Sequence, residues 1–165
     1  YERLSVEPDV FTIAKGLGGG HAIGALLVKN HADIFEPGDH ASTFGGNPFA
    51  CKAAITVAKE IERKNLLTNV RKRGSQLHEG LSNLKRIFPK QVKDVRGWGL
   101  IQGVILQKNT SVTAQQFILA ALNQQLLVIA SGDKVIRMVP PLTINKHEVT
   151  EIINRLEATF QSISD

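Results

Sequence analysis

Residues 10–24 read Val-Phe-Thr-Ile-Ala-Lys-Gly-Leu-Gly-Gly-Gly-His-Ala-Ile-Gly, and the rest of the chain is organised around this stretch. The apolar run 10–14 predicts a short buried strand, and it leads directly into a glycine-rich turn. A second apolar run, 24–28, follows that turn. Lys15 therefore lies between two predicted buried strands, where an unpaired ammonium group is costly. Because desolvation favours the neutral amine, the position indicates a lysine that forms a Schiff base with a carbonyl cofactor.

Two other interpretations of this stretch were weighed. Lys15 as an ordinary surface lysine at the end of a strand is the simplest alternative, and the local pattern leaves it open. A phosphate-binding loop is disfavoured, because the Walker pattern requires Ser or Thr after Gly-Lys and the glycines do not form a dinucleotide-binding fingerprint.

The composition is that of a globular protein of one domain, or of a domain plus a smaller lobe. The chain has 165 residues, of which 42% are hydrophobic, and no apolar run approaches the roughly 20 residues of a membrane span. The single cysteine, Cys51, excludes an internal disulfide framework and is typical of a reducing compartment, so we expect a cytoplasmic protein without membrane contact. The chain opens at Tyr1 without an initiator methionine, close to its most reactive stretch, and we therefore expect it to be part of a longer protein.

The net charge of +5 does not indicate a nucleic-acid partner. The densest basic cluster, residues 71–73, lies in a predicted helix with apolar spacing and is interpreted as a solvated face, and aromatic residues make up only 5% of the chain. The five histidines show no metal-ligand spacing, so no metal site is predicted.

A polar loop rich in Gly and Pro follows, over residues 36–48. Loops of this length are usually functional or disordered. Ser42 and Thr43 offer hydroxyl donors, and Gly45 and Gly46 permit a nest of backbone N–H groups, so the loop is suited to an anion. A plain surface loop is the alternative interpretation.

After this loop, the apolar residues recur at helical spacing. Asn47 and Pro48 predict a helix start, and the helix runs to about Arg63 with a broad small-residue face that contains Cys51 as inert core. A second helix begins near Leu66. We place a domain boundary between them, with residues 1–62 ending a larger domain and residues 63–165 forming a smaller one.

The smaller part is predicted to be mixed α and β. Strands are predicted over 92–95, 100–106, 126–129 and 135–139, with a turn at 96–99 and Gly103 as a bulge or close-packing point. Capping boxes start helices at Thr113 and Asn145. Arg137 lies inside an apolar strand, where its guanidinium suits a substrate carboxylate; a solvent-facing arginine is equally compatible with the alternation.

Four ordered motifs resemble the class III aminotransferases, which are fold-type I enzymes that use pyridoxal 5′-phosphate. The motifs are the run around Lys15, the loop 37–48, Arg-Gly-Trp-Gly-Leu at 96–100 and Val-Ile-Arg-Met-Val-Pro-Pro-Leu at 135–142. Together they cover essentially the whole chain. The loop 37–48 is more similar to the branch that acts on N2-acetylornithine than to the ornithine or GABA branches.

The resemblance implies an α/β fold made of the end of the large domain and the mixed α/β small C-terminal domain. It implies that Lys15 holds pyridoxal 5′-phosphate and moves the substrate proton, that Thr43, with Ser42 beside it, binds the cofactor phosphate of the partner subunit in a homodimer, and that Arg137 binds the substrate α-carboxylate.

The reaction implied is transfer of the δ-amino group of N2-acetylornithine to 2-oxoglutarate, in arginine biosynthesis. Ornithine, succinylornithine and GABA remain alternative amino donors, and a non-catalytic α/β binding module is the alternative of another class. The family's pyridine-nitrogen aspartate, ring-stacking aromatic and second phosphate-binding turn are expected before Tyr1. We therefore expect the 165-residue chain alone to be inactive, and its exposed apolar run 10–28 to favour self-association.

Overall fold

The computed structural model describes residues 1–163 and combines helices with antiparallel sheet. Its internal contacts divide the chain into two units between Lys64 and Asn65, shortly after the predicted boundary at residue 62. The helices are α1 (Pro48–Arg63), α2 (Leu66–Ile87), α3 (Ala114–Asn123) and α4 (Lys146–Ser162). The strands are β1 (Val10–Ile13), β2 (Ala25–Val28), β3 (Val92–Trp98), β4 (Ile101–Leu106), β5 (Ile129–Ala130) and β6 (Val135–Met138). None of the helices within residues 1–163 has the length and apolar character needed to cross a membrane.

The first unit contains a two-stranded hairpin in which β1 runs antiparallel to β2. Both strands were predicted, but the prediction that they are buried is wrong: Val10 is 46% exposed and Leu26 is 50% exposed. The reason is that a two-stranded ribbon cannot cover its own faces, and no third strand pairs with it within residues 1–163. After β2 the chain makes one 3₁₀ turn, Asn30–Ala32.

Helix α1 begins where the sequence predicts. The Asn47 side chain accepts a hydrogen bond from the Ala50 N–H at 2.9 Å, and Pro48 occupies the first turn, where its missing N–H costs nothing. Ala50 is buried, but the rest of the small-residue face is only partly covered, and Cys51 is half-buried rather than in a core.

The second unit is a four-stranded antiparallel sheet in the order β3-β4-β6-β5, with helices packed on one face. The helix α2 contributes the stripe Leu77, Leu81 and Leu84, all at most 1% exposed. Phe117 of α3 and Phe160 of α4 meet beneath the sheet with ring centroids 4.7 Å apart. Both predicted capping boxes are present, at the N-termini of α3 and α4.

Two strand boundaries differ from the prediction. The strand β3 continues through the predicted turn to Trp98, and the chain reverses at residues 99–100. The strand predicted over 126–129 forms only at Ile129–Ala130, because the Leu126 N–H bonds back to the Ala121 carbonyl of α3 at 2.9 Å and Leu126 is buried there.

The β3–β4 turn is attached closely to α2. Gln102, a polar residue only 2% exposed, donates to the Gly99 carbonyl at 2.8 Å, and its Oε1 lies 3.1 Å from Nδ1 of His78 on α2. Gly74 of α2 lies against Gly99 so closely that a Cβ on Gly74 would be 2.6 Å from the Gly99 carbonyl carbon. The turn therefore contacts α2 through the Gly74–Gly99 approach and through the hydrogen bond between buried Gln102 and exposed His78.

Candidate active site

Lys15 opens the turn between β1 and β2 in a left-handed backbone conformation, with φ of 56°. This conformation costs a non-glycine residue roughly 1–2 kcal/mol, and such residues cluster at functional sites. Its side chain is exposed, so the predicted burial between two strands is not found within residues 1–163. Sequence reasoning missed the strained backbone of Lys15, because the surrounding glycines signal a turn without saying which residue takes positive φ.

The Lys15 turn is held against α1. Gly18 is buried, and a Cβ on Gly19 would lie 3.0 Å from Cγ2 of Val57 in the middle of that helix. After the turn, the His21 ring meets the edge of Phe49 on α1, with centroids 4.7 Å apart. Neither contact was predicted, since both join residues far apart in the chain. They fix the backbone that carries the exposed amine.

The Ser42–Thr43 loop leads into the same helix. Its turn is closed by the Gly45 N–H, which donates to the Ser42 carbonyl at 3.3 Å, and by the Asn47 side chain, which donates to the Phe44 carbonyl at 2.9 Å. The Ser42 and Thr43 side chains are exposed, a few residues before the N-terminus of α1. Both predicted segments of the first unit therefore adjoin α1. The Lys15 turn packs on the middle of this helix, and Ser42 and Thr43 precede its first residue.

Arg137 belongs to the second unit. It lies on β6 opposite Gly103 of β4 and Ile129 of β5. Its neighbours Ile136 and Met138 are buried, whereas Arg137 is exposed, so its guanidinium stands on the sheet face opposite the helices. The outward orientation leaves the guanidinium available to a ligand on that face.

The electrostatic network of the first unit lies away from Lys15, at the other end of the hairpin. Lys29 donates to Glu7 at 3.2 Å and lies 3.5 Å from Asp9, and the Glu7 hydrogen bond raises the pKa of Lys29 above its usual value. His31 lies 3.0 Å from the same Asp9 carboxylate. Glu7, Asp9 and His31 are exposed and Lys29 is half-buried, so these pairs contribute little to stability. Among residues 1–163, no three His, Cys, Asp or Glu side chains are grouped so as to hold a metal ion.

The first unit carries residues suited to two chemical groups, an aldehyde and a phosphate. An exposed amine on a fixed turn is a nucleophile for an aldehyde, and the hydroxyls of Ser42 and Thr43 are donors for phosphate oxygens. Pyridoxal 5′-phosphate has both groups.

Comparison with known proteins gives one consistent family. The model of the family "Aminotransferase class-III" matches residues 1–160. The chain is 65% identical over 160 residues to the acetylornithine aminotransferase of Prochlorococcus marinus strain MIT 9313, covering 97% of this chain and 38% of that relative. It is 48% identical over 164 residues to the acetylornithine aminotransferase of a Nostoc species, covering 99% of this chain and 38% of that relative.

Solved structures agree with these sequence matches. The acetylornithine aminotransferase of Elizabethkingia anophelis superposes with a TM-score of 0.90 at 28% identity, over 98% of this chain and 41% of that one. The N-acetylornithine aminotransferase of Stenotrophomonas maltophilia superposes with a TM-score of 0.83 at 32% identity, over 98% of this chain and 42% of that one. The predicted α/β fold is confirmed, and the chain spans about two fifths of the length of these relatives.

Proposed function

The chain belongs to the class-III aminotransferases, and from this we propose that the whole protein transfers the δ-amino group of N2-acetylornithine to 2-oxoglutarate. The observation that carries the proposal is Lys15, an exposed amine on a strained turn anchored to α1, within a chain 65% identical to a relative named acetylornithine aminotransferase. The product of such a reaction belongs to arginine biosynthesis.

The roles of individual residues follow from their chemistry. When bound, pyridoxal 5′-phosphate stabilises negative charge at the substrate carbon from which a proton leaves. Lys15 binds the cofactor aldehyde through its ε-amine, and the same amine, once free, accepts and returns the proton. Thr43, with Ser42 beside it, donates its hydroxyl to the phosphate of the partner subunit's cofactor, and Arg137 binds the substrate α-carboxylate with its two parallel N–H groups.

The domain organisation, the compartment, the oligomeric state and the amino donor are part of the same proposal. Residues 1–62 end a large cofactor-binding domain and residues 63–165 form the small domain, in a cytoplasmic homodimer whose Thr43 serves the partner subunit's cofactor. The structural division near Lys64 supports the domain boundary, and the single cysteine supports a reducing compartment. N2-acetylornithine is favoured over ornithine as the amino donor because the curated relatives at 48% and 65% identity carry that name.

Borohydride trapping tests the role of Lys15 directly. The whole protein is incubated with pyridoxal 5′-phosphate, reduced, digested and analysed by peptide mass. We expect one adduct on the peptide that contains Lys15, and none in the Lys15→Ala variant. Lys52→Ala is the matched control, because Lys52 is an exposed lysine of the same unit, on α1.

The trapping result separates the enzyme from the binding module. An adduct spread over many lysines, or one that persists in Lys15→Ala, would contradict the proposed role and favour a non-catalytic module. With the adduct established, relative kcat/KM for N2-acetylornithine and ornithine decides the amino donor.

A further inference from the structure

Three residues stand in one row across the outer face of the sheet. Arg96 of β3 is paired with Gly103 of β4, and Gly103 is paired with Arg137 of β6. The adjacent residues Val104 and Ile136 are buried at 1% and 0% exposure, so alternation directs the row away from the helices. At a strand spacing of about 4.8 Å, the Cα atoms of the two arginines are roughly 10 Å apart, with a residue lacking a side chain between them.

The fold does not require glycine at position 103. A Cβ there would be 3.5 Å from Cγ1 of Val135, its nearest neighbour, which is ordinary van der Waals contact, and the backbone has no positive φ. By contrast, a Cβ on Gly97 would lie 2.1 Å from the Ile101 carbonyl oxygen, with φ of 149°.

A glycine inside a strand marks a bulge, a bend, or the close approach of another group. The register shift of the β3–β4 pair falls between Val92 and Asp94, not at Gly103. The bulge expected from the sequence is therefore absent, and so is close packing. A ligand that approaches the outer face of the sheet closely at position 103 would account for a glycine there.

The charges on this face indicate what that group is. Arg96 and Arg137 are both exposed, and within residues 1–163 neither takes part in an ion pair or a side-chain hydrogen bond. Asp94, two residues before Arg96, forms an ion pair with Lys85 at 2.8 Å, so its charge is balanced by Lys85 and not by Arg96. Two unpaired guanidinium groups flanking an open space favour a carboxylate ligand.

We propose that Gly103 keeps open a carboxylate-binding site between Arg96 and Arg137, in which Arg96 is a second contact for the substrate carboxylate. This rests on the proposed function for the identity of the ligand, which is the 2-oxo acid or amino acid substrate. Arg96 adds charge-assisted hydrogen bonds from the opposite side of the carboxylate. A side chain at position 103 would fill the space between the two guanidinium groups.

The test measures binding of glutarate, an unreactive dicarboxylate, to the whole aminotransferase by calorimetry, together with the KM for 2-oxoglutarate. Since a hydrogen bond to a charged group is worth at least a tenfold change in binding, Arg96→Gln and Gly103→Val are each expected to weaken glutarate binding and raise the KM about tenfold or more. Lys93→Gln is the matched control, since it removes one positive charge from an exposed residue of the same strand. It is expected to change binding less than twofold.

Further variants keep the test independent of folding. Gly103→Ala fits without displacing any atom and is expected to weaken binding less than Gly103→Val while preserving the thermal midpoint. Arg96→Lys keeps the charge and is expected to recover part of the binding lost in Arg96→Gln.

Each result decides one of the two proposals. Glutarate binding that is unchanged in Arg96→Gln, or weakened equally in Lys93→Gln, overturns the carboxylate site, while turnover of N2-acetylornithine leaves the proposed function standing. Glutarate binding that depends on Arg96 and Gly103, in a protein that does not turn over N2-acetylornithine, supports the site and overturns the proposed function.

Discussion

The same substitution, glycine to alanine, is expected to have different effects on stability at two positions of α2. A Cβ on Gly74 would lie 2.6 Å from the carbonyl carbon and oxygen of Gly99, whereas a Cβ on Gly80 would lie 2.6 Å from Cγ1 of Ile153. The first obstacle is backbone in a tight turn, and the second is the Cγ1–Cδ1 arm of a half-buried isoleucine, which can change rotamer.

The expected magnitudes follow from these neighbours. Alanine gains about 1 kcal/mol over glycine in a helix interior. At Gly74, overpacking against the Gly99 backbone costs about 3 kcal/mol, because backbone atoms in a tight turn cannot move aside. The free energy of unfolding is therefore expected to fall by about 2 kcal/mol in total. At Gly80, rearranging Ile153 costs about 1 kcal/mol, so the net change is expected to be close to zero.

Urea unfolding followed by the fluorescence of Trp98 measures both variants. Trp98 is the chain's single tryptophan and lies on β3 of the same unit, so the signal reports the unfolding of that unit. The free energies are compared by linear extrapolation, with unchanged m-values as the check on two-state behaviour. Equal losses for Gly74→Ala and Gly80→Ala would refute the reasoning, because they would show that the chemical nature of the obstructing atoms does not matter.

Two further predictions concern charged side chains. Lys134 donates to the carbonyls of Thr110 and Val112 at 2.8 and 2.9 Å, so Lys134→Met is expected to lower the free energy of unfolding by about 1–3 kcal/mol, measured by the same fluorescence. Hydrogen bonds from Arg63 and Lys64 lower the pKa of Glu60 from 4.5 to about 2, so its small stabilisation is complete above pH 4.5 and is lost as the pH falls toward 2. A carboxyl titration by NMR is expected to show that midpoint near 2, and Arg63→Ala is expected to raise it; a midpoint that Arg63→Ala leaves unchanged would contradict the assignment.

Local signals predicted the helices well. Asn47, Thr113 and Asn145 were predicted as N-caps, and each accepts a hydrogen bond from the backbone N–H three residues later. Such signals succeed because a cap is made by residues within one turn of each other, so the sequence contains both partners side by side. Helix α2 was predicted to begin near Leu66 for the same reason, since helical spacing is a property of one continuous segment.

Predictions that needed a distant partner were less accurate. The runs around Val10 and Leu26 were predicted as buried strands, and they form strands, but their burial depends on what covers a two-stranded ribbon and not on their own pattern. Leu126 is predicted to lie in a strand, but its backbone N–H donates to the Ala121 carbonyl near the end of α3. The roles of Lys15, Ser42, Thr43 and Arg137 stay predictions, supported by the geometry described above.

The class of fold, the helix boundaries, the family resemblance and the lysine on a glycine-rich turn can be predicted from the sequence, because each depends on residues close together in the chain. The left-handed backbone of Lys15, the approach of Gly74 to Gly99 and the placement of Gly103 between Arg96 and Arg137 are seen only in the folded chain. The last of these depends on the pairing register of three strands, and a shift of one residue would turn the row toward the core. The turn at residues 99–100 sets the β3–β4 register, whereas the β4–β6 register depends on which faces of the strands the helices bury.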